Sequence, residues 1–148
     1  MSAATSASAE AAIQPVNALP VVDDPIILDG STQTYRGTAR IGDNTTLVDV
    51  TRDVDMVAVH LQQGDKLVAE TDTSRLATQL DTYIRLFDED GNELTANDNA
   101  EPNNPFNRDS KIEYTITERG TYYVAISGAQ NVDYDPTIPE SGSISGTV

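Results

Sequence analysis

The chain has 148 residues, 38% of them apolar, with 24 acidic side chains against nine basic ones and a net charge of −15. That balance excludes a nucleic-acid partner, which needs a basic face, and an anionic membrane surface. There is no cysteine, so disulfides and thiolate metal sites are excluded too.

Residues 1–25 are rich in Ala, Ser, Pro and Asp. They present no apolar stripe to dock, so the composition predicts a disordered or extended leader. Met1–Ala12 has neither a basic stretch nor an apolar stretch of the kind that makes a secretory signal. No segment approaches the roughly 20 apolar residues of a membrane span, so no membrane insertion is expected.

From residue 26 the hydrophobic period becomes two, and residues 26–148 read as one β domain. Strands are predicted at Ile26–Leu28, Thr32–Ala39, Thr46–Val50, Asp55–Leu61 and Lys66–Thr71. In Asp55–Leu61, Val57, Val59 and Leu61 share one face, while Met56, Ala58 and His60 share the other. Gln63-Gly64-Asp65 is a turn. Thr82, Ile84 and Leu86 then alternate with Tyr83, Arg85 and Phe87, and Asp88-Glu89-Asp90-Gly91-Asn92 leads to a return strand from Glu93 to Thr95. An Asp-Gly between alternating runs is a strong hairpin signal. Residues 97–108 are a polar loop. Ser110–Thr117 places Ile112, Tyr114 and Ile116 on one face, and Thr121–Ser127 does the same with Tyr122, Val124 and Ile126. The rest is loop, with a last strand at Ser143–Val148. About eight short strands separated by turns, with no helix, predict an all-β, jelly-roll-like antiparallel β-sandwich.

Catalysis finds no support in the residue types. His60, the only histidine, lies on a strand face beside Met56 and Ala58, the setting of a packing residue. There is no cysteine nucleophile and no Gly-x-Ser-x-Gly elbow. With no nucleophile–base pair to write, the chain is expected not to be an enzyme.

Calcium fits better, because it takes about six to eight hard oxygens from Asp, Asn and backbone carbonyls on loops. The acids gather at strand ends: Asp53 and Asp55; Asp81 with Asn97, Asp98, Asn99 and Asp109; and Asp133 with Asp135. Loops at one end of a sandwich meet in space, so several can share an ion. The run Asp88–Glu93 resembles the start of an EF-hand loop, but position 12 of that loop falls on Asn99, which is not acidic. The hairpin turn is the better reading.

The segments LDTYIRLFDEDGNELTANDN, RDSKIEYTITERGTYYVAISG and NVDYDP resemble the bacterial pre-peptidase C-terminal domain family, which includes the collagen-binding domains of clostridial collagenases. The resemblance spans about residues 29–142 and is densest over 80–136. It implies a jelly-roll sandwich appended to exported proteins, a secreted location and calcium as the bound ion. By motif, DVDMVAV carries the ligand role to Asp53 and Asp55, LDTY to Asp81, ANDN to Asn97 and Asp98, RDS to Asp109, and DYDP to Asp133 and Asp135. The segment departs from the family pattern in three ways. The acidic linker motif is missing from the N-terminal part, the usual Asn-Asp-Asp reads Asn97-Asp98-Asn99, and the customary closing strand is altered after Gly142.

The expected function is therefore a non-catalytic, calcium-binding accessory module that stabilises or targets its neighbours. The alternatives are a module for an extracellular protein such as collagen or for a polysaccharide, with Tyr83 and Tyr123 as aromatic platforms, and a subunit that assembles with another chain by strand addition at an open edge.

Overall fold

The computed structural model describes residues 13–15, 26–27, 52–73, 80–104, 106–138 and 141–142. Among them are eight strands and no α-helix: β1 (Ile13–Pro15), β2 (Ile26–Ile27), β3 (Asp55–Leu61), β4 (Lys66–Glu70), β5 (Thr82–Phe87), β6 (Glu93–Asn97), β7 (Lys111–Thr115) and β8 (Gly120–Gly128). The all-β expectation holds. The strands predicted at Thr32–Ala39, Thr46–Val50 and Ser143–Val148 lie outside the described residues, as does nearly all of the 1–25 leader.

The larger sheet runs β1-β3-β8-β5-β6, with β2 also on β3. One hydrogen-bonding edge of β3 is covered along its whole length by antiparallel β8, from Asp55 opposite Ile126 to Leu61 opposite Gly120. The other edge is shared: β1 lies antiparallel against Asp55–Val57 and β2 parallel against Val59–His60. The smaller sheet is the antiparallel pair β4-β7.

The alternation legible in the sequence sorts the core. Val59 and Leu61 of β3, Ile84 and Leu86 of β5, and Tyr122 and Val124 of β8 point to one face of the larger sheet. There they form one buried cluster with Leu67 of β4 and with Ile112 and Ile116 of the β7 segment. The two sheets therefore share a core, and β4-β7 covers that face. The opposite face is also buried: Val54, Met56, Phe87 and Ala125 pack with Tyr134, which lies in the segment after β8. A sheet with both faces covered explains why Met56, Ala58 and Ala125 have no exposed surface.

The turns follow their predicted chemistry. Gly64 has φ of 90° and Gly91 of 83°, a region that L side chains avoid. In the β5–β6 hairpin, Asp88 accepts hydrogen bonds from the backbone N–H groups of Asp90 and Asn92 at 3.0 and 2.8 Å and from Asn92 Nδ2 at 2.9 Å. Burial pushes its carboxyl up, but hydrogen bonds from Asn92, Asp90 and Gly91 together outweigh that and hold it below the usual carboxylate range. These acids build a turn. Leu86 pairs with Thr95 and Phe87 with Glu93, so Leu94 is an extra residue and the strand bulges there. β6 runs two residues past its predicted end, which puts Asn97 in the ladder opposite Ile84.

Candidate functional site

The registers place the starts of β3, β5 and β7 and the ends of β4, β6 and β8 at one pole. Asp55 pairs with Ile126, Thr82 with Gly128, Ile84 with Asn97, and Glu70 with Lys111. All eight predicted ligands, Asp53, Asp55, Asp81, Asn97, Asp98, Asp109, Asp133 and Asp135, belong to segments that start, end or loop at this pole.

A buried hydroxyl network holds the pole together across the two sheets. Thr71 Oγ1 is 2.8 Å from Thr82 Oγ1, and Thr82 Oγ1 is 3.0 Å from Ser110 Oγ. Ser110 Oγ also lies 2.5 Å from the Thr82 carbonyl and 2.9 Å from the Asp98 carbonyl. The Ser110 N–H donates to Thr71 Oγ1 at 2.8 Å. Thr82 and Ser110 are buried, so each polar atom here needs a partner inside the protein. These four residues tie the ends of β4 and β6 to the starts of β5 and β7.

The predicted ligands divide into three groups around this network. Asp81 and Asp98 stand together: burial and then the Asp98 charge raise the Asp81 carboxyl above its ordinary value, and Arg108 opposes them. Asp109, Asn97 and Asp135 are committed to local contacts. Asp109 Oδ1 accepts from the N–H and the hydroxyl of Thr73, both at 2.7 Å. Asn97 Oδ1 accepts a long 3.4 Å bond from the Lys111 N–H. Asp135 accepts from the N–H and hydroxyl of Thr137 at 2.8 and 2.6 Å. Asp53 and Asp55 are buried where β3 begins, Asp133 is exposed, and all three have interaction partners of their own. Among the described residues no three acidic or histidine side chains stand together as a group able to hold a metal by themselves.

Sequence reasoning missed Asn131. Its side chain is fully buried, Nδ2 donates to the Arg52 carbonyl at 3.3 Å, and Oδ1 has no hydrogen-bond partner. Only its position just before Val132-Asp133-Tyr134-Asp135 hinted at it. Also missed were Ser110 and its threonine partners, since hydroxyl residues in strands are common and their convergence is a tertiary fact.

The remaining expectations can be placed. His60 is half-buried, 3.5 Å from Thr121 Oγ1, and its Nε2 accepts from Arg119 Nε at 3.5 Å. Thr121 and Arg119 belong to the opposite end of β8. Tyr83 is half-buried, and Tyr123 packs against the second core cluster, so neither is an open aromatic platform.

The family whose model matches is described as the bacterial pre-peptidase C-terminal domain, and the match covers residues 53–128. No curated protein and no solved structure matches the chain.

Proposed function

Because the chain belongs to the bacterial pre-peptidase C-terminal domain family, an accessory β-domain of bacterial proteins, we propose that it is a non-catalytic module that binds calcium at the Asp81–Asp98 pole and serves a secreted protein. The observation that carries this reading is that the register puts Asp81, at the start of β5, and Asp98, at the end of β6, at one pole, where burial first and the Asp98 charge second raise the Asp81 carboxyl. Two neighbouring carboxylates favour a divalent cation, which neutralises both.

The donor type is the one that calcium takes: Asp81 and Asp98 supply hard carboxylate oxygens. A bound ion would supply charge neutralisation and a cross-link between the start of β5 and the end of β6. The chain's own residues do the rest: Ser110 fixes the Asp98 backbone and the Thr73–Asp109 contact fixes the adjoining loop.

The role is one of stabilising or positioning a neighbouring domain, in keeping with the accessory character of the family. Thermal unfolding with calcium in excess and with chelator tests it. A ligand that binds only the native state at a hundredfold excess over its dissociation constant adds about 2.7 kcal/mol, several degrees in Tm for a domain of this size. Identical melting curves would overturn the calcium reading.

A further inference from the structure

Phe106 is the largest exposed apolar side chain among the described residues, with 83% of its surface open. It lies on a loop crossed by hydrogen bonds from its own side chains and backbone. Asn104 Oδ1 accepts from the Phe106 N–H at 3.2 Å, Asn107 Oδ1 from the Asp109 N–H at 2.8 Å, and Glu101 from Asn104 Nδ2 at 3.0 Å. The Asn107 N–H donates to the Asn104 carbonyl at 3.0 Å, and the Ala100 N–H to the Asp109 carbonyl at 2.7 Å.

Beside the ring is an open groove of about 260 Å³, whose charged lining is Glu101, Asp109 and Arg108. The amides of Asn104 and Asn107 are spent on the loop. Side-chain hydrogen bonds from Asn104 and Asn107 hold the Glu101 carboxyl below its ordinary value, so it is ionised. Asp109 uses Oδ1 for both donors of Thr73. Arg108 also lines the groove and acts on Asp81 at the adjoining pole, so the lining carries two carboxylates against one guanidinium.

We infer that this groove binds a lysine or arginine side chain of a partner protein, with the cation over the Phe106 ring and its charge against Glu101 and Asp109. Charge complementarity selects that occupant. Two carboxylates against one guanidinium line the groove together with an aromatic ring, whose face attracts cations, on a chain of net charge −15 that draws basic partners from a distance. A neutral saccharide would use the ring but would leave the net negative charge of the lining unmatched. The inference is independent of calcium.

The test is an NMR titration of the ¹⁵N-labelled chain with a capped tetralysine peptide at low and at physiological salt, and in parallel with N-acetylchitotetraose. The expected result is peptide-induced shifts concentrated at Glu101, Phe106 and Asn107. Phe106→Ala should weaken binding roughly two- to fivefold with the melting temperature unchanged, since the ring is exposed. Glu101→Gln should weaken it further, and salt should weaken it throughout. Shifts spread over the whole acidic surface, with Phe106→Ala binding as tightly as the parent, would overturn the inference. So would shifts at Phe106 from the saccharide and none from the peptide.

Discussion

The Arg85 guanidinium lies 4.4 Å from the centre of the Tyr134 ring and donates through Nη1 to the Tyr134 carbonyl at 2.6 Å. The same guanidinium is 4.6 Å from the Phe87 ring, and its Nε pairs with Glu93 at 2.5 Å. One side chain on β5 therefore binds the segment after β8 to the second face of the sheet, where Phe87 and Tyr134 meet edge to face at 6.1 Å. Burial drives the Tyr134 hydroxyl far above its ordinary value, so the ring remains neutral.

Arg85→Ala should remove two cation–π contacts and a charged hydrogen bond, and destabilise the domain by about 3 kcal/mol. Arg85→Lys should recover only part of this, because an ammonium lacks the planar fork that stacks and donates together. Urea unfolding of the three proteins checks both. Equal midpoints for Arg85→Lys and the parent would mean that charge alone suffices.

Gly142 and Gly64 separate strain from collision. Both have φ near +90°. A Cβ at Gly64 meets nothing within 4 Å, whereas one at Gly142 would lie 2.7 Å from Tyr134 Cβ and within collision distance of Asn131 Oδ1. Gly64→Ala should cost about 1–2 kcal/mol from backbone conformation alone. Gly142→Ala should cost about 1–3 kcal/mol more from overpacking and should loosen the Asn131–Tyr134 segment, visible as faster amide exchange there. Equal losses for the two variants would show that residue 142 is not held against that segment.

Ser110→Ala should destabilise by about 2–3 kcal/mol, because the Thr82 and Asp98 carbonyls lose a shared hydroxyl at a buried pole. The denaturant midpoint should fall with the m-value unchanged. If the pole opens locally instead, amides of Thr82 and Asp98 will exchange faster with little change in global stability.

Asp98→Asn should have effects of opposite sign with and without calcium. In chelator it removes one of the two causes that raise Asp81, so stability near neutral pH should rise by about a few tenths of a kcal/mol at this exposed site. A raised folded-state carboxyl favours the fold at low pH. The penalty is absent below the ordinary value and sets in as pH climbs through the raised one. Asp98→Asn should therefore flatten the acid side of the chelator pH–stability curve. In calcium the same change should lower Tm relative to the parent, because the proposed site would lose a charged ligand. A fall in Tm in both conditions would mean that Asp98 acts through its local structure rather than its charge.

The strands were legible because burial on a sheet leaves a period-two trace. Val57-Val59-Leu61, Thr82-Ile84-Leu86 and Tyr122-Val124-Ile126 could each be read as a face, and Asp90-Gly91 as a turn, from neighbours in the chain. Residue type also determined the acidity and the absence of cysteine, and the spacing of DVDMVAV, LDTY, ANDN and RDS carried the family resemblance. Pairing order and convergence were decided only in three dimensions. No local pattern says that β3 lies between β8 and the shared edge of β1 and β2, or that Ser110 meets Thr71, Thr82 and Asp98. The same limit governs the candidate site. The sequence supplied eight oxygen-bearing side chains of similar promise, and the fold set Asp81 beside Asp98 while giving Asp109 to Thr73 and Asp135 to Thr137. A carboxylate's role depends on which charges and donors lie within a few ångströms, and that is fixed by contacts between residues far apart in the chain.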